Sequence, residues 1–319
     1  MTNNNNRIFY ATQGLLLTPT DKDGNPGTEV APLGVQSVGI TTNIPLEQVF
    51  TVGQLELYDN LENVPDIQVT INKVIDGTLP LYAICMGGAD GAANTFGKNI
   101  VELANNRVQM DLNIYADTQA AATGTAQVGV QCTGMYLSNF SFTLPVDGNG
   151  TEDVTLVGNS KTWTSGVSIT EFDTTKTSTG TFRRYNFVGS TPVFAHLQSV
   201  KVSADLGREA IYELGSFSPY HRYVKFPLEV SSEFEIMATG NDGVNAYGDQ
   251  PGNSPYRTVN VSIKTTGNDG TLTLDLGDKN KLTSVNYAGG DTGGGNVTQT
   301  YSYKTYNYFV LDASGTFAG

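Results

Sequence analysis

The residues of this chain that are able to do chemistry are few and scattered. His196 and His221 are its two histidines, and neither has a cysteine or a second histidine at metal-ligand spacing. Structural or surface roles are expected for both. Cys85 and Cys132 are too few for a disulfide scaffold and are expected to be buried thiols in a reducing compartment. No nucleophile elbow, phosphate loop or HExxH helix is present. "DKDGNPGTE" (Asp21–Glu29) and "DGNGTED" (Asp147–Asp153) faintly resemble calcium loops, but Pro26 stands where an EF-hand needs glycine. Asp-Gly and Asn-Gly steps make both better β-turns. "GGDTGGGN" (Gly289–Asn296) is not followed by a helical pattern and reads as a hairpin tip, not a phosphate cradle. Glu229, Glu233 and Glu235 fall on alternate positions of one strand, which gives them a shared solvated face rather than a tuned acid–base pair. No catalytic, cofactor-binding or metal residue is therefore expected, and the chain is not expected to be an enzyme.

Composition says what kind of scaffold must carry these residues. Only 15% of the 319 residues are charged, 39% are hydrophobic, and small polar and β-branched types fill the rest. That mixture predicts an all-β protein rich in turns. A net charge of −13 argues against affinity for nucleic acid or anionic lipid and suits a surface that repels DNA. No stretch approaches the ~20 apolar residues of a membrane helix, and the N-terminus lacks the basic-then-apolar pattern of a signal peptide. Met1–Asn6 is expected to be disordered.

The chain also says one thing twice. Val35–Pro65 and Leu197–Pro227 align without a gap. The identical pairs are Gln36/Gln198, Ser37/Ser199, Val38/Val200, Glu47/Glu209, Gly53/Gly215, Tyr58/Tyr220 and Pro65/Pro227. Chance gives about two identities over such a length. In the strand that follows, Ile67, Val69 and Ile71 alternate with Asp66, Gln68, Thr70 and Asn72. In the second copy Leu228, Val230, Phe234 and Ile236 alternate with Glu229, Ser231, Glu233 and Glu235. The original offset would set apolar against polar, so one inserted residue after the proline is required to restore the phase.

Weaker matches continue in order. Asn105–Asp117 pairs with Pro255–Gly270, Gly124–Phe142 with Gly270–Tyr287, and Glu152–Trp163 with Gly295–Tyr306. The order predicts a tandem duplication with units 1–178 and 179–319, divided in the Thr/Ser/Gly-rich segment Thr174–Pro192. The first copy carries an insertion, Leu81–Asn106, whose Gly/Ala part is expected to be loop and whose end, Lys98–Asn105, to be a short helix.

The pieces "GVQSVGI", "EQVF.VGQL.LYDN", "NVPD" and "VTINKVIDG" within Val35–Gly77 resemble the major tail protein, or tail tube protein, of tailed bacteriophages. The clear resemblance covers about a seventh of the chain. The second copy keeps Gln198, Ser199, Val200, Gly215, Tyr220 and Pro227 and is otherwise looser. The resemblance implies two tandem β-sandwich domains, each with at most one short helix, whose inner strands complete a β-barrel when rings assemble. It implies a structural virion protein, made in the host cytoplasm, that stacks as rings into a DNA-conducting tail. Six like domains close a ring, so two domains per chain imply trimers with pseudo-sixfold symmetry, hexamers being the alternative. The implied partners are the chain itself, a tape measure protein, a tail tip or baseplate and a tail terminator, with non-specific passage of phage DNA and no membrane.

Asp66, Gln68, Thr70, Asn72, Glu229, Ser231, Glu233 and Glu235 carry no positive charge and are the candidate channel lining; an outer solvated face is equally open. Gly53, Tyr58, Pro65, Gly215, Tyr220 and Pro227 are candidate subunit or ring contacts, or turns that the fold requires. The alternative function is a two-domain carbohydrate-binding β-sandwich of an adhesin or spike, with Trp163 and the tyrosines stacking on sugars. A glycoside hydrolase would need a carboxylate pair, and none is conspicuous.

Overall fold

The computed structural model describes residues 7–122, 126–164, 180–239, 255–264, 270–289 and 296–315. Met1–Asn6, residues 165–179 with the expected unit boundary at 178/179, and residues 290–295 of the Gly-rich segment lie outside the described residues. The fold is an all-β sandwich with no closed barrel.

The strands are β1 (Gln13–Thr20), β2 (Val35–Asn43), β3 (Leu46–Phe50), β4 (Leu57–Glu62), β5 (Asp66–Val74), β6 (Arg107–Ile114), β7 (Val128–Pro145), β8 (Thr151–Gly158) and β9 (Ser160–Thr164). They continue as β10 (Phe187–Thr191), β11 (Leu197–Asp205), β12 (Glu209–Ile211), β13 (His221–Tyr223), β14 (Glu229–Met237), β15 (Asn260–Lys264), β16 (Thr271–Asp275), β17 (Lys281–Ala288), β18 (Thr298–Tyr306) and β19 (Val310–Ser314).

One antiparallel sheet runs β17-β18-β14-β11-β7-β8-β5-β2. Its strands alternate as period-2 sequences must. In β5, Ile67, Val69 and Ile71 are buried while Asp66, Gln68 and Thr70 are exposed. In β14, Val230, Ser232 and Phe234 are buried, while Glu229, Ser231, Glu233 and Glu235 turn outward. Two smaller sheets supply the rest of the core: β1-β6-β7-β9 and β10-β15-β16-β19. The 18-residue β7 serves both the large sheet and the first small one. Gly134, at φ 62°, sits in its passage between them.

Strand order repeats along the large sheet. β2-β5-β8-β7 on one side has the connectivity of β11-β14-β18-β17 on the other, and β7 pairs with β11 where the two runs meet. The registers repeat as well. Thr41 faces Gln68 as Ser203 faces Ser231, which is the one-residue phase change after the proline. Bulges recur at Val35/Ser37 and Leu197/Ser199, and at Leu137/Asn139 and Leu282/Ser284. The hairpin β3–β4 pairs Val49 with Asp59 and Gln48 with Asn60; β12–β13 pairs Ile211 with His221 and Ala210 with Arg222.

The helices differ from expectation. The described residues before the division carry three short α-helices, α1 (Leu81–Met86), α2 (Ile100–Leu103) and α3 (Thr118–Ala122), where at most one was expected. α2 lies within the predicted Lys98–Asn105 segment. α1 escaped the pattern because all six of its residues are buried, which leaves no polar face to mark a helical period. The Gly/Ala segment after it forms two 3-10 turns, Gly88–Asp90 and Ala92–Thr95.

The inserted segment fills the space beneath the joint. Phe309, from the second run, packs against Tyr82 of α1 at 5.2 Å and Phe140 of β7 at 4.8 Å between ring centroids. Backbone N–H groups of Gly97 and Ile100 donate to Leu311 and Phe309 carbonyls, both at 2.9 Å.

Candidate assembly surface

The outer face of the large sheet gathers all eight candidate lining residues. Registers place Asp66, Gln68, Thr70 and Asn72 opposite Val157, Thr155 and Asp153 of β8 and Asn43, Thr41, Gly39 and Ser37 of β2. On the other side Glu229, Ser231, Glu233 and Glu235 face Tyr306, Lys304, Ser302 and Thr300. Short polar side chains tie neighbours together: Asn72 Nδ2 donates to Asp153 Oδ1 at 2.6 Å, and Ser199 Oγ donates to Glu235 Oε2 at 3.0 Å.

The two candidate rows lack Lys and Arg, but the full face does not. Lys201, Lys281 and Lys304 share it with the carboxylates Asp66, Asp153, Asp205, Glu229, Glu233 and Glu235. Lys201 stands opposite Glu233, and Lys304 Nζ meets Glu229 Oε1 at 2.7 Å. That hydrogen bond raises the Lys304 pKa and keeps it charged. The face thus carries three lysines within an acidic excess.

At the β7–β11 joint the second run's hairpin reaches over the end of the first. The ladder pairs Asp205 with Asn139 and Ser199 with Pro145. It continues through Leu206 N–H to the Ser138 carbonyl at 2.7 Å. From β13, Arg222 Nη2 donates to Asp66 Oδ1 at 2.7 Å and Arg222 Nε to Asn159 Oδ1 at 3.0 Å. His221 Nδ1 and the Tyr136 hydroxyl lie 2.7 Å apart, while Arg208 and Arg107 stack on the Tyr136 ring. Burial, then Arg107 and Arg208, lowers the His221 pKa and favours its neutral form. Burial likewise lowers Arg208 to about 10.

These joint residues were not singled out in the sequence. The signal was present as departures between otherwise matched copies: Arg208 for Leu46, His221 for Asp59, Arg222 for Asn60.

Gly53 and Gly215 occupy the hairpin tips with φ of 89° and 94°, which a side chain rarely adopts. Their recurrence follows from the turns. Tyr58 and Tyr220 are exposed on the hairpins, Pro65 is half-buried with its carbonyl accepting from Asn159 Nδ2, and Pro227 is exposed. Around the tips Val52, Leu55 and Leu214 are fully open to solvent.

The remaining reactive types are spent locally. Both cysteines are buried and free, and burial raises the thiol of Cys132 to about 11 and that of Cys85 further. Asp21 accepts backbone N–H bonds from Asp23 and Asn25, both at 2.8 Å, and so builds its own turn. Asp147 lies 3.7 Å from Arg184 at an exposed turn. His196 adopts a positive φ of 53° before β11. Trp163 is exposed on β9, the edge of the first small sheet. Among the described residues no group of three His, Cys, Asp or Glu is placed to hold a metal ion. Nor is any described helix long and apolar enough to cross a membrane.

No protein-family model matches the chain, and no curated protein does.

Proposed function

We propose that the chain is a tail tube subunit of a tailed bacteriophage, a non-enzymatic structural protein that stacks as rings around a DNA channel. It acts as two tandem sandwich units, 1–178 and 179–319, in the tail of the virion. The carrying observation is the β7–β11 joint. The large sheet ends on β2 and β17, the counterparts of β11 and β7. What joins the two runs inside one chain is therefore available again between chains, β17 of one copy beside β2 of the next. Such a heterologous contact repeats until the rotation closes a ring. Three chains with two units each give six like units, and closure removes both open edges.

The polar, acidic outer face of the sheet suits the channel wall, because phosphates passing over it meet more carboxylates than cations. The apolar hairpin tips suit ring-to-ring contacts, where burial of Val52, Leu55 and Leu214 would be favourable. A tape measure protein, a tail tip or baseplate and a terminator would bound the assembly. Negative-stain imaging of concentrated protein with rotational averaging tests the reading. Hollow rods of three- or sixfold symmetry are expected. A chain that stays monomeric, even with its initiating tail-tip complex, would overturn it.

A further inference from the structure

The two hairpins are equivalent in register and opposite in charge. β3–β4 and its flanks, residues 44–65, carry Glu47, Glu56, Asp59 and Glu62 with no Lys or Arg. Residues 206–227, around β12–β13, carry Arg208, Arg222 and Lys225 against Glu209 and Glu213. The basic hairpin seats Arg222 on Asp66 and His221 on Tyr136.

Register identifies the equivalent seat in the second run. Tyr136 faces Val157 as Lys281 faces Lys304, each one step before a bulge. Lys281, an exposed residue, thus holds the position of Tyr136, and its ammonium lies 4.5 Å from the centroid of the Tyr256 ring. On the hairpins, Asp59 pairs with Val49 as His221 pairs with Ile211, so Asp59 holds the position of His221.

We infer that the acidic hairpin of one copy docks on the β17 end of a second copy, with Asp59 beside Lys281, in the register of the internal joint. This rests on the head-to-tail joint proposed above and adds the charge pair that would hold it. The same geometry sets Asn43 opposite Ser284 and Thr41 opposite Asn286, as Asp205 stands opposite Asn139 and Ser203 opposite Ser141. At the β17 end Asp59 meets Lys281, while uncharged Asn60, the counterpart of Arg222, comes to Glu229, the counterpart of Asp66.

Two exposed sites allow a test that leaves the fold intact. Chains carrying Asp59→Cys are mixed with chains carrying Lys281→Cys under mild oxidation, the native cysteines being buried. A disulfide-linked dimer is expected from the mixture and from neither variant alone, because the contact is heterologous. Lys281→Glu is expected to slow assembly about tenfold or more at low salt, with Asp59→Lys in the same chain restoring it. Rods from the wild type together with no mixed disulfide, or unaltered assembly of Lys281→Glu, would overturn the docking and leave the tube reading standing. A wild-type chain that never assembles overturns both.

Discussion

Arg222 reaches from β13 to the Asp66 carboxylate at 2.7 Å, a link between residues 156 positions apart that ties the second hairpin to the first strand row. The arginine is nearly buried and also holds Asn159. Arg222→Ala removes both bonds, yet Asp66 is half exposed and regains water. A loss of about 1–3 kcal/mol is expected in urea unfolding, toward the lower end because of that exposure. An unchanged midpoint would show that the hairpin rests on its apolar contacts alone.

Phe309 makes the joint a core rather than a seam. It is fully buried among Tyr82, Phe140 and Phe142, which come from the other side of β7–β11. Phe309→Ala is expected to cost about 3–5 kcal/mol. Amide exchange should rise at Gly97 and Ile100, whose N–H groups bond the same segment. If both halves unfold in one transition in the wild type, this variant is where two transitions would first separate.

What the sequence disclosed and what it hid divide along one physical line. The repeat was legible because a half-buried strand tolerates no slip of phase, so a lone inserted residue shows itself as polar set against apolar. The structure repeats that slip between Thr41/Gln68 and Ser203/Ser231. α1 was not legible, since a wholly buried helix has no face to alternate. Lys73 is the sharper case. It follows Ile67, Val69 and Ile71 in the apolar phase of β5 and is buried with them, because Asp76 lies 2.8 Å from its ammonium and Glu152 stands opposite on β8. Glu152 is 79 positions away, and no local pattern announces it. The seat of the hairpins was hidden for the same reason: it joins residues whose only sequence mark is a difference between copies.

Lys73 accordingly offers a strong test. Replacing it by Met leaves the Asp76 and Glu152 carboxylates buried without their cation, and a loss of about 3–5 kcal/mol is expected. Pairing Lys73→Met with Asp76→Asn should recover part of that loss in a double-mutant cycle. Full additivity would mean that the two groups do not interact.

Glu152 sets a pH dependence. Its carboxylate accepts the N–H groups of Leu81 and Tyr82 at 2.7 and 2.6 Å, at the start of α1. Burial nonetheless pushes its pKa up to about 7; Lys73 and the two N–H bonds oppose this, and Asp76 adds to it. The folded chain therefore holds this proton more tightly than the unfolded chain, whose glutamate titrates near 4.5. Glu152 contributes most below pH 4.5, and its contribution is lost as pH rises to about 7, on the order of 2–3 kcal/mol. Glu152→Gln cannot ionise. Its stability relative to the wild type should therefore rise between pH 5 and pH 8, measured as the difference in urea midpoints. A relative fall over that range would mean that Lys73 and the helix N–H groups outweigh burial, with the ionised carboxylate as the favoured cap of α1.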